Sequence, residues 1–413
     1  MWVQGTQPSG QAPHILRETL SRRLGRHLTL ADLGLEGEAT SQTDSGSDWS
    51  VDPLTMLAEL GSDDLDMHRR KLLATAAYSA AGLALPTASW WAAAPAAAAK
   101  RPAVSPRPVT QADIDDVRGL TTFYSARDQQ RGGASGRSAL AGHLRDEAVP
   151  LLGSRFRTEQ LRRDTYSAVA EMTYLAGWMA FDASEHRTAQ RYLTLAARIA
   201  AEAGDGPLGG HILRALAHQA VDLGHPRRAL ALADASMSRD RYGQASPREK
   251  ALLAIVHARA LAADGDRPAT LAAISRAERD LARADNNEAP GRVGFFQEAS
   301  LAHETACALR DLGQPLDAEI HFKRSVATRR QQYARTHSVT LGYLGAVQVQ
   351  QGHVDEACAT WSRALDAMTG VQSGRARDVI VRMRSDLSPV RGRGGRHIAE
   401  LDRRARETLR AIS

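Results

Sequence analysis

The chain has 413 residues, too many for one ordinary hydrophobic core, so a small N-terminal unit and a long second domain are expected. It is 43% hydrophobic but only 5% aromatic, with Ala and Leu dominating, which argues against a sheet of bulky pairs and for an all-α fold of thin, closely packed helices. The net charge of +6 suggests an anionic partner, yet it is unevenly spread: residues 27–68 hold ten carboxylates and no Lys or Arg, whereas residues 374–410 hold eleven Arg against five acids. Cys307 and Cys358 have no companions at metal-ligand spacing and cannot make a disulfide framework, so buried free thiols and a reducing cytoplasm are expected.

In chain order, residues 1–35 read as a short helical piece, with Ile15, Leu16, Leu20 and Leu24 at helical spacing and Gly25 as a stop. Residues 36–66 form an acidic, Ser- and Gly-rich linker with room for a short helix over 53–60. Residues 67–110 read as a connecting helix ending near Leu85, followed by an Ala/Pro-rich linker to about Pro108. The uncharged run from Leu72 to Ala99 has the length of a membrane span, but Pro86 and Pro95 interrupt it, so no membrane association is expected. Arg69-Arg70 ahead of that run, with small-residue sites at 92–94 and 96–98, also fits a twin-arginine export signal on a product starting at Met67.

From Gln111 onward, over 111–413, helix follows helix, and a repeat is present. Ser184, Gly224, Gly313 and Gly352 are each followed five positions later by an alanine, Ala189, Ala229, Ala318 and Ala357, and Gly265 begins a shorter version ending at Ala269. Two antiparallel helices need a turn residue tolerant of positive φ, and the second helix then needs a small side chain where the first approaches. Around the last copy the pattern extends to Leu344-Gly345 on the first helix and Trp361 on the second, and Gly177 beside Trp178 takes the same contact position in the first copy. These residues resemble the tetratricopeptide (TPR) pattern with a lengthened period, for which insertions such as 236–247 would account. The resemblance implies a right-handed TPR-like α-solenoid of about five hairpins, with a groove that holds a protein or peptide. Trp178, Tyr192, Phe322 and Trp361 are expected to be core knobs, and 398–412 a final amphipathic helix that caps the stack.

No catalytic, cofactor or metal site is expected. The segment from Gly132 to Ser138 lacks the lysine and glycine spacing of a phosphate loop, and His303-Glu304 lacks a second histidine at metal spacing. His211, His218 and His257 stand alone within helices and form no triad.

The opening residues, Trp2-Val-Gln-Gly-Thr-Gln-Pro-Ser, followed by Leu20-Ser-Arg-Arg-Leu-Gly25, resemble the back half of a bacterial repressor-type helix-turn-helix, in which Trp2, Gln4, Thr6 and Gln7 are the DNA-binding remnant. Together with Arg69-Arg70-Lys-Leu-Leu, Leu175-Ala-Gly-Trp-Met-Ala180 and Asp311-Leu-Gly-Gln-Pro315, the whole chain resembles bacterial regulators of differentiation and antibiotic production that join such a domain to a TPR-like sensor. The resemblance implies a cytoplasmic transcriptional regulator of repressor type that uses no cofactor, binds a protein or peptide and can pair as a homodimer. Residues 1–6 are too few for the usual base contacts, so DNA is a partner only where a full helix-turn-helix is present. A scaffold that never touches DNA and an exported binding protein are the alternatives.

Overall fold

A computed structural model describes residues 53–57, 59–61, 78, 85–285, 291–390 and 395–412. The DNA-binding remnant (Trp2, Gln4, Thr6, Gln7) and the Arg69-Arg70 segment lie outside the described residues. Among the described residues the fold is all-α, with no strand beyond one isolated bridge between Pro108 and Arg155.

Ahead of the hairpins lie α1 (Ala88–Ala99) and α2 (Gln111–Arg131). Next come α3 (Arg137–His143) and α4 (Val149–Leu152), joined through a π-helical turn at Leu144–Ala148. Five hairpins follow. They are α5 (Glu159–Asp182) with α6 (His186–Ala203), and α7 (Gly206–Asp222) with α8 (Pro226–Ser236). After the one-turn α9 (Arg239–Tyr242) come α10 (Pro247–Asp264) with α11 (Arg267–Ala282), and α12 (Glu298–Asp311) with α13 (Pro315–Thr328). The last pair is α14 (Ala334–Gln350) with α15 (Val354–Ala367), covered by α16 (Gly374–Leu387) and α17 (Gly395–Ile412). Each helix packs on its hairpin partner and on the next hairpin, as in a solenoid.

The hairpin turns share one geometry. Ser184, Gly224, Gly265, Gly313 and Gly352 have φ of 62°, 76°, 88°, 72° and 84°. At each, the N–H of the following residue reaches the carbonyl five positions back, from Glu185 to Ala180 through to His353 to Gln348, at 2.9 to 3.0 Å. This left-handed C-cap satisfies carbonyls that the helix end would otherwise leave open. Ala189, Ala229, Ala318 and Ala357 are fully buried, and Ala269 in the shortened copy is half-buried.

Close approach within hairpins falls where the repeat places it. A Cβ on Gly177 would lie 2.9 Å from Leu193 Cγ, and one on Gly345 would run into the Trp361 indole. That indole donates to Gly342 O at 3.0 Å, which satisfies its single polar atom inside the core. Tyr192, Phe322 and Trp361 are fully buried with Leu344, as core knobs should be. The extra length between hairpins is taken up by α9 and by the segment after α11.

Four features depart from the sequence expectations. The stretch read as an Ala/Pro linker is the helix α1, with Pro95 inside it. Alanine favours helix strongly enough to absorb one proline when the helix docks. Ala94 and Ala98 are buried, Trp91 lies under Arg241 at 4.3 Å, and Arg101 just beyond makes a two-bond pair with Glu202 at 3.0 Å. The helix within the acidic segment forms as expected, but it is docked, with Leu57 and Leu60 buried. Of the two cysteines, Cys307 is buried and Cys358 only half-buried.

The largest departure is closure. The array curls until its last helices reach its first. Gln372 N donates to Arg131 O at 2.6 Å, and Ala134 N donates to Gln372 O at 3.2 Å. Gly132, Gly133 and Gly374 lie at this seam, where a Cβ would strike Gln372, Met179 and Ser184 respectively. Arg335 of α14 ties the layers together through Asp182 at 2.8 Å and Asp128 at 3.1 Å.

Candidate functional site

The first helix of every hairpin, with α2 and the start of α16, faces one enclosed cavity of about 70 Å³. The polar residues that reach it are spaced as stripes on otherwise apolar helices. On α7 they are Arg214 and His218, on α12 Ser300, His303 and Glu304, and on α5 Tyr174 and Trp178, with His211, Asp222, Cys307 and Asp182 continuing the stripes beyond its lining. Steps of three or four residues keep each stripe on one helical face, and hairpin packing turns that face inward.

Buried charge at this face is largely paired. Arg259 binds Asp222 at 3.0 Å and Glu304 at 3.2 Å, and Arg292 binds Glu249 at 2.6 Å. Arg375 stands 3.8 Å from Asp222 and over the Phe181 ring. Burial alone would raise the Glu304 carboxyl, but His218 and Arg259 pull it down to about 2. At the closure, burial pushes Asp128 up to about 7 against the pull of Arg335, with Asp182 adding to the rise. Arg335 thus holds two acids, of which Asp128 takes a proton easily.

Burial disfavours the protonated form of the histidines at this face. Burial lowers His218 despite Asp222 and Glu304 beside it, and lowers His303 to about 3. Thr340 Oγ1 is 2.8 Å from His303 Nδ1, and the ring stacks on Tyr343. Burial also pushes the Cys307 thiol up to about 12, so it is no nucleophile at neutral pH. Trp178 is not a plain core knob: half-buried on the cavity wall, it packs on Phe181 and His218 and carries Arg214 over its face at 5.3 Å.

A second, open cleft of about 470 Å³ lies on another face, between α11, α12 and α13. Leu281, Leu301 and Ala302 line it together with the charged Glu278, Glu298 and Arg324. Close by on α13, Leu316 and Ile320 are 69% and 64% exposed, one turn apart. The open recess thus lies on a different face of the array from the cavity.

Of the residues singled out from sequence, the repeat signature is brought together as hairpin seams, and none of it except Trp178 reaches the cavity. The residues that do reach it include His218 and His303, which stand alone in the sequence, and arginines that the repeat does not mark. The signal that finds them is the polar stripe on the first helices. Among the described residues no cluster of His, Cys, Asp and Glu is arranged to hold a metal ion, and no helix is long and apolar enough to cross a membrane.

Residues 1–36 match a family model described as the SP15 N-terminal domain. No curated protein and no solved structure matches the chain.

Proposed function

We propose that the chain is a transcriptional regulator of repressor type whose TPR-like hairpin array is the part that reads a protein or peptide partner. The observation that carries this reading is the open cleft between α11, α12 and α13, whose apolar floor and charged rim suit a short amphipathic segment. Repeated hairpins supply rigid walls for such a recess without any chemistry of their own. The helix-turn-helix resemblance of the opening residues supports the DNA-directed half.

Chromatin immunoprecipitation of the native protein tests both halves. A regulator enriches discrete chromosomal sites, and the charge reversal Arg324→Glu at the cleft rim changes transcript levels at those sites without unfolding the protein. Absence of enriched sites would replace the regulator with a DNA-free scaffold.

A further inference from the structure

We infer that the enclosed cavity is a binding site for a small oxyanion, a carboxylate or phosphate group, held by Arg214 and Arg329. This goes beyond the regulator reading and does not depend on whether the chain touches DNA.

The argument starts from the pairing around the cavity. Of the carboxylates on its wall, Glu304 is held by Arg259 and Asp128 by Arg335. Arg292 and Arg375 have Glu249 and Asp222. Two wall arginines remain. Among the described residues, no carboxylate lies within ion-pairing distance of Arg214 or Arg329, although Arg329 feels the charge of Glu304 from farther away.

Arg214 is 2% exposed. Its guanidinium donates to Tyr174 Oη at 2.6 Å and to His211 Nε2 at 3.2 Å, and it lies over the Tyr174 and Trp178 rings. All of these partners are neutral, and Nε has none. Arg329 donates to Ala299 O and Ser325 Oγ, each at 2.9 Å, again neutral, and its Nε is also without a partner. Burial lowers Arg329 to about 10, the mark of a cation short of a counter-charge.

A buried cation without a counter-ion is costly, and the cost falls when an anion occupies the space beside it. Guanidinium groups suit oxyanions because their N–H donors match the oxygens in pairs. The cavity, about 70 Å³, is several times what one ordered water needs, yet far too small for a peptide segment. The side where α2 faces the 331–333 turn, lined by the half-buried Ser125, Gln129 and Tyr333, is the proposed way in.

The test is calorimetric titration of the whole chain with inorganic phosphate and, separately, with acetate, at constant ionic strength. The wild type is expected to bind one of the two saturably at one equivalent, and the arm that binds separates a tetrahedral from a planar anion. Arg214→Met and Arg329→Met are each expected to weaken binding by about tenfold or more. Without anion, Arg214→Met should melt no lower than the wild type, because it removes an unmatched charge. If Arg214→Met does not fold, Arg329→Met decides alone. Absence of saturable binding of either anion, or binding unchanged in the folded variants, overturns the inference.

Discussion

The two faces of a first helix in this array obey different rules. Where it meets its hairpin partner, contacts are apolar and fixed by size: Gly177 against Leu193, Gly345 against Trp361. Where it faces the cavity, charged groups are buried and held by geometry instead, as with Arg259 between Asp222 and Glu304. The seam recurs from hairpin to hairpin because every pair must solve the same steric problem. The inner face does not recur, because each buried charge needs a partner particular to its place. A repeat signature therefore marks what holds the array together and is silent about what the array binds.

The sharpest way to break the contrast is at the seam. Trp361→Ala removes the largest fully buried side chain and opens a cavity beside Gly345, so a loss of about 3–5 kcal/mol is expected in chemical denaturation. On the inner face, Arg335→Met strands Asp128 and Asp182 and should cost about as much, roughly 3–5 kcal/mol. The two losses differ in kind. Adding Asp128→Asn and Asp182→Asn to Arg335→Met should recover most of the second, whereas no change of charge rescues the first. A triple variant as unstable as Arg335→Met alone would refute the ion-pair account of closure.

A smaller effect separates the faces by pH. Asp128 is raised in the folded chain from 3.8 to about 7, so the folded state binds its proton more tightly than the unfolded chain does. Its contribution to stability is complete below the unfolded value and is lost as the pH rises through about 7. Arg335, Asp182 and Arg375 are the charges that act on it. Thermal melts of Asp128→Asn should therefore fall less steeply than those of the wild type as the pH is raised through that range. The smallest effect belongs to the solvent-facing surface. Arg324 and Glu298 pair at 2.9 Å while more than half exposed, and Arg324→Ala should shift stability by less than about 1 kcal/mol.

The turns were the most legible part of the fold. Five positions chosen for their tolerance of positive φ all have it, including Ser184, the one residue among them with a side chain to strain. Pro95 misled in the opposite direction, because local propensity cannot register the docking of α1 through Ala98, Trp91 and Arg101. Closure was illegible for a related reason: the contact between Arg131 and Gln372 depends on the summed curvature of every hairpin between them. The cavity lay between these cases. The spacing of Arg214 and His218 was present in the sequence, but only the curl of the array turns that face from a wet surface into a buried wall.

Closure also has a consequence for how the chain reaches its native state. Gln129 and Arg335 meet across 206 positions of sequence, so the seal forms only after nearly all of the hairpins exist. Local hairpins form quickly, but a contact of such separation carries a large loop entropy and comes late. During synthesis the nascent array is an open arc, with the buried charges of α5 and α7 still in water until α14 emerges. Refolding should accordingly show a fast gain of helix followed by a slower phase in which Trp178 fluorescence changes as the interior is sealed.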